Sequence, residues 1–168
     1  MPDGLYERDF LEWSERQADL LRRLAAGERV NADLDWPNLV EEVEDLGRSE
    51  LHAVVSLLSR ALEHLLKVAG WPASHDAGHW KSEVATFLSD AADRWAPSME
   101  QRVDLAMLYQ RARARTTVTT ADGQDPAWLP AENPFVISEL IVAAPGIADV
   151  CGLVATLDTA AASAGPAR

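Results

Sequence analysis

Residues 37–70 read PNLVEEVEDLGRSELHAVVSLLSRALEHLLKVAG, and this stretch decides the fold. Pro37 suits a first helical turn, where its missing N–H has no helical partner anyway. Glu41 and Glu42 sit near the positive end of the helix dipole and Lys67 near the negative end. Gly70, followed by Pro72, ends the run. No proline interrupts it, so the spacing predicts one continuous helix over about 37–69, ~50 Å long at 1.5 Å per residue. In a chain of 168 residues a helix of that length is expected as the central post of a bundle.

Working outward, Tyr6, Phe10, Trp13, Gln17, Leu20 and Leu24 recur at steps of three and four, which predicts an amphipathic helix over about 4–26. Asp3 can cap its start and Gly27 its end. Residues 28–35 form a polar connection. Trp80, Val84, Phe87, Leu88, Ala91 and Trp95 define a third helix over about 76–95, stopped by Pro97. Ser98-Met99-Glu100-Gln101 reads as a capping box opening a fourth helix that runs to about 115. The β-branched run Thr116 to Thr120 and then Asp122-Gly123 break it.

Residues 121–133 read as a loop, followed by a short helix over 134–143 that Pro145-Gly146 ends. Ile147, Val150, Cys151, Val154 and Leu157 predict a last helix, with an Ala/Ser/Gly-rich end expected to fray. There is no strand alternation and no internal repeat. The expected fold is all-α: a helical bundle with four core helices, one very long, plus C-terminal helical additions. It is read as a single domain over 1–168, with about 147–168 as a partly frayed extension.

The composition narrows the function. Hydrophobic residues make up 48% of the chain, enough to build a core. No basic, apolar leader is visible, and no apolar run approaches the ~20 residues of a membrane span. The single cysteine, Cys151, excludes an internal disulfide and a cysteine-based zinc site, which fits a cytoplasmic protein. The net charge of −12 disfavours nucleic acid, because an acidic surface repels phosphate backbones.

Asp9-Phe10-Leu11-Glu12-Trp13, Gln17-Ala18 and Leu20-Leu21-Arg22 precede Leu34-Asp35-Trp36-Pro37-Asn38-Leu39-Val40-Glu41-Glu42-Val43-Glu44-Asp45-Leu46-Gly47-Arg48-Ser49-Glu50. His64-Leu65-Leu66-Lys67 follows. Together they resemble the bacterial family catalogued as domain of unknown function twenty-nine, over roughly residues 5–140. The resemblance implies a helical fold and brings no activity. Val68 stands where that family often has Trp, and the chain continues past the usual C-terminal end.

Two constellations invite chemistry. His75-Asp76-Ala77-Gly78-His79 places two histidines at i and i+4, as in zinc hydrolases, but with Asp for their Glu and no third ligand in view. The expectation is no metal site. No Glu-x-x-His occurs, which excludes the standard carboxylate-bridged dimetal pattern. On a wheel of ~100° per residue the apolar centre of the long helix is Leu39, Val43, Leu46, Val54, Leu57, Ala61 and Val68, so Glu50 and His64 are expected to point inward. A buried carboxylate is costly unless paired or protonated. Each therefore needs a partner from another helix, among them Trp13, Gln17, Arg22, Trp80 and Tyr109. For Glu50 the first expectations are Arg22 and Trp13.

Arg111, Arg113 and Arg115 complement the dipole at a helix C-terminus. There is no nucleophile elbow, phosphate loop or dinucleotide fingerprint, and no cofactor is expected. The leading reading is a non-enzymatic module that binds another protein or assembles with itself. Six tryptophans favour an interface, and an uncovered long helix favours a homodimer. The alternative is an enzyme or small-ligand binder with a polar pocket near Glu50, His64 and Trp80.

Overall fold

The structure, a computed structural model, describes residues 4–127, 129–142 and 144–164. Its helices are α1 (Leu5–Arg8), α2 (Phe10–Ala25), α3 (Trp36–Gly70), α4 (Ala77–Arg94), α5 (Leu105–Thr117), α6 (Ile137–Leu140) and α7 (Ile147–Ala164). Among the described residues there is no strand; Ala121 and Gln124 form an isolated antiparallel bridge. α3 is one element of 35 residues, as its spacing predicts. The chain divides into two compact units, Met1–Ser49 and Glu50–Arg168.

In the first unit the expected helix over 4–26 is two. Asp9 leaves the helical conformation at φ −151°, and its carboxylate accepts the Glu12 N–H at 3.0 Å. A side-chain cap thus restarts the helix inside an apolar run that looked continuous. The expected cap, Asp3, lies outside the described residues. Gly27 does end α2: its φ of +89° is a conformation that other residues rarely adopt. Leu20, Val30 and Leu34 form a small core with Leu24 and Leu39 against it. Tyr6, Phe10 and Trp13 make a second cluster, with Tyr6 edge-on to Trp13 at 4.9 Å between ring centroids.

The second unit holds the main core, a helical bundle. The second half of α3 supplies Val54, Leu58, Ala61, Leu62, Leu65 and Leu66; α4 supplies Val84, Leu88 and Ala91; α5 supplies Leu108, Tyr109 and Ala112. α7, read as a C-terminal addition, buries Val150 and Leu157 completely in the same core. The Tyr109 hydroxyl donates to the Pro130 carbonyl at 2.9 Å, and burial pushes its pKa up to about 12.

α5 does not start at the expected capping box. Pro97–Met99 forms a short 3-10 turn, with Met99 buried, and the Met99 carbonyl accepts N–H groups from Arg102 and Val103. Asp104 is the true cap, taking the Met107 N–H at 2.9 Å. Both segments carry a capping residue, and the buried Met99 holds the chain in a turn where the first cap had predicted a helix.

Candidate functional site

The residues singled out in the sequence occupy separate places. Trp13 is buried in the first unit, and its indole N–H donates to Asp35 Oδ2 at 3.1 Å. Asn38 donates to the same oxygen at 2.7 Å, and the Asp35 N–H donates to Gln17 Oε1 at 2.9 Å. Asp35, just before α3, thus ties α2 to the start of α3. It went unnoticed in the sequence because it looked like one more acid in a polar connection. Arg22 is exposed in the last turn of α2.

Glu50 corrects the expectation of an inward carboxylate. It is exposed, its side chain 55% accessible, and its cation is Arg94 at the end of α4, not Arg22 or Trp13. The physical reason lies in the wheel. Leu39, Val43 and Leu46 drew its centre toward Glu50, but Val43 and Leu46 are exposed. The residues buried in the second half of α3 centre on Val54, Leu58, Ala61 and Leu65. That centre is rotated by roughly a fifth of a turn at ~100° per residue, which leaves Glu50 at the stripe's edge.

His64 lies at the α3–α4 contact, half-buried. Its Nδ1 is 2.9 Å from Glu83 Oε2 without a formed hydrogen bond, a contact that becomes an ion pair only when the imidazole is protonated. Phe87 meets the ring edge-on at 5.5 Å. Burial and the nearby Lys67 ammonium push the imidazole below its ordinary pKa, and Glu83 and Glu63 offset this only in part. Trp80 packs against Trp71, with ring centroids 6.2 Å apart. Glu50, His64 and Trp80 thus each meet a different neighbour: Arg94, Glu83 and Trp71.

His75 and His79 do not share a helix face, because α4 begins only at Ala77. His75 turns to Asp122 and Asp76 at 3.0 and 3.1 Å, and His79 to Glu83 at 3.4 Å. Among the described residues no three of His, Cys, Asp and Glu gather as a metal-holding set.

On the α5 side, Arg115 Nε donates to Glu63 Oε2 at 2.9 Å and its Nη2 to Ser59 Oγ at 2.8 Å. Lys67 reaches Glu63 at 3.2 Å. Burial raises the Glu63 pKa, but the hydrogen bonds and charges of Lys67 and Arg115 outweigh it and hold the carboxyl below its usual range.

The first half of α3 shows an unusual surface. Trp36, Val40, Val43 and Leu46, at helical steps of four, three and three, are 42, 55, 68 and 68% exposed. On the same half of α3, Arg48 pairs with Glu44 and Asp45.

The fold and these contacts define an all-helical bundle protein. The chain belongs to the family described as domain of unknown function DUF29, whose model matches residues 5–143. It is similar to an alpha-helical protein of unknown function from Rhodospirillum rubrum, solved by crystallography. The two share 30% identity and a TM-score of 0.62, over 88% of this chain and 96% of that one. No curated protein matches the chain. Among the described residues no helix is long and apolar enough to cross a membrane.

Proposed function

We propose that the chain is a non-catalytic binding module whose docking surface is the apolar face of α3 before residue 50. The carrying observation is the row Trp36, Val40, Val43 and Leu46, four large apolar side chains in water on one helix. Scattered apolar residues need no explanation, but a contiguous exposed row on one helix face marks an interaction surface. The occupant is a basic amphipathic segment of another protein. Residues 1–49 carry thirteen Asp and Glu against six Arg and no Lys, so the acidic unit that carries the face repels a copy of itself and attracts a cationic partner. A homodimer on this face is the competing occupant. In this reading 1–168 works as one domain. The one cysteine, Cys151, is free and exposed, which suits the reducing cytoplasm. The alternative, a small-ligand pocket at Glu50, His64 and Trp80, has less support, because each of the three spends its contacts on a different neighbour.

A photo-cross-linking residue at Val43, with one at Asp158 as control, tests this in the native host. The expected result is one discrete adduct from position 43 that is weakened by Val40→Glu, with the linked peptide apolar and net basic. No adduct above the control overturns the reading. An adduct of the chain with itself, matched by a dimer in sedimentation, replaces the foreign partner with a second copy.

A further inference from the structure

A second feature, independent of the apolar face, lies between α3 and α5. His52, Ser56, Ser59, Arg60 and Glu63 on α3 face Arg111 and Arg115 on α5 across an open groove of about 470 Å³. We propose that this groove binds the phosphate group of a small phosphorylated metabolite.

The charge in the groove is the first ground. In a chain of −12, its walls bring three arginines together with a single carboxylate. That carboxylate, Glu63, is already held by Lys67 and Arg115. Arg111 has no carboxylate partner among the described residues. It stands one turn before Arg115 on the same face of α5, where like charges four apart repel each other. An anion seated between them relieves that repulsion. Arg60 stands on the ridge toward a second groove, with its guanidinium 5.9 Å from the Phe87 ring centre; Asp90, Asp93 and Arg94 line that side. It is shared between the two and contributes only part of its charge here.

The donors are the second ground. The bonds to Glu63 and Ser59 fix the Arg115 guanidinium plane. Ser59 Oγ accepts from Arg115, so its own hydroxyl hydrogen is left to donate. Ser56 lies one turn away on the same wall. The Arg111 fork, the remaining Nη N–H groups of Arg115 and two hydroxyls are the donor set that a tetrahedral oxyanion takes. The groove volume falls within the ~300–1,000 Å³ of small-molecule sites. The overall negative charge disfavours a long polyanion on the same surface.

Inorganic phosphate, titrated at constant ionic strength into the ¹⁵N-labelled full chain, tests the proposal. The Arg111 and Arg115 side-chain N–H signals are expected to shift and saturate. Arg111→Ala removes one fork and Ser56→Asp puts a carboxylate in the groove. Both positions are exposed, so both variants keep the fold, and each is expected to weaken binding at least about tenfold, or ~1.4 kcal/mol. Arg23→Gln, in the first unit, leaves it unchanged. Shifts that do not saturate, or saturation indifferent to both groove variants, overturn the proposal. So does a short RNA that binds there more tightly than phosphate, which would make the groove a polymer surface.

Discussion

Arg94 Nη1 lies 3.2 and 3.4 Å from the two carboxylate oxygens of Glu50, joining the end of α4 to α3 where both side chains are about half exposed. An ion pair in that setting is screened by water and ions and loses side-chain entropy to hold its geometry. Such pairs contribute ~0–1 kcal/mol. Glu50→Ala is therefore expected to lower the unfolding free energy by less than about 1 kcal/mol, with a coupling to Arg94→Ala of the same order. Urea denaturation of the double-mutant cycle measures this. A loss of about 3–5 kcal/mol would mean a charge stranded in a dry core.

The contrast between Glu50 and Val54 shows what the sequence could and could not disclose. The ends of α3 were legible because Pro37, Lys67 and Gly70 act locally. Its length was legible because nothing in between breaks a helix. Which face is buried depends on which other segments reach it, and that changes along the helix. Val54 and Leu58 are wholly buried while Val43 and Leu46, in the same apolar pattern, face water. One wheel fitted to the whole helix averaged the two halves and turned Glu50 inward. Arg94 and Glu83 were invisible as partners for the same reason: they approach from α4, forty-four and nineteen residues away in sequence. His64 fared better, since it does sit half-buried at a helix contact that requires an answer from elsewhere.

His64 gives a pH prediction. Burial and Lys67 lower its folded-state pKa below the ordinary value of about 6.5. Above about pH 7 both folded and unfolded chains hold it neutral, and it contributes no pH dependence. As the pH falls through about 6.5 the unfolded chain takes up the proton first, so stability is lost until the folded-state pKa is reached. His64→Gln is expected to flatten the stability profile between about pH 7 and 5 relative to the wild type. Parallel urea titrations across that window check it. Equal slopes in both proteins would show that the imidazole protonates freely in the fold.

Gly70 has a second role besides ending α3. It is the last residue of α3 and was read as a terminator, yet it is not at positive φ. It also provides room. A Cβ there would stand 3.0 Å from Pro126 Cβ and 3.9 Å from Leu129 Cδ2. The same residue's carbonyl accepts the Ala127 N–H at 2.8 Å, and the Trp71 indole N–H donates to the Gln124 carbonyl at 2.9 Å. The loop after α5 is thus laid directly on the end of α3. Gly70→Ala is expected to cost about 1–3 kcal/mol by overpacking, although alanine is the better helix former. Thermal unfolding measures the loss. An unchanged or raised Tm would show that the loop yields freely.

Gly47 is the opposite case on the same helix. It sits in the interior of α3, and a Cβ built on it meets nothing within 4 Å. Its φ is not positive, so alanine adopts the same backbone without strain. Glycine in a helix interior costs ~0.8–1.0 kcal/mol relative to alanine, mostly through the freedom it has when unfolded. Gly47→Ala is therefore expected to stabilise the residues around it by about 0.5–1 kcal/mol. Native-state hydrogen exchange reads this locally: amides from Glu44 to Leu51 should exchange about two- to fivefold more slowly, by the usual conversion of free energy to an equilibrium constant. Amides near Val84 in α4, distant in sequence, serve as the internal reference. Faster exchange around position 47 in the alanine variant would mean that the open space on this face is filled when the protein is in solution. That outcome would point to the apolar row beside it, Val43 and Leu46, as already covered.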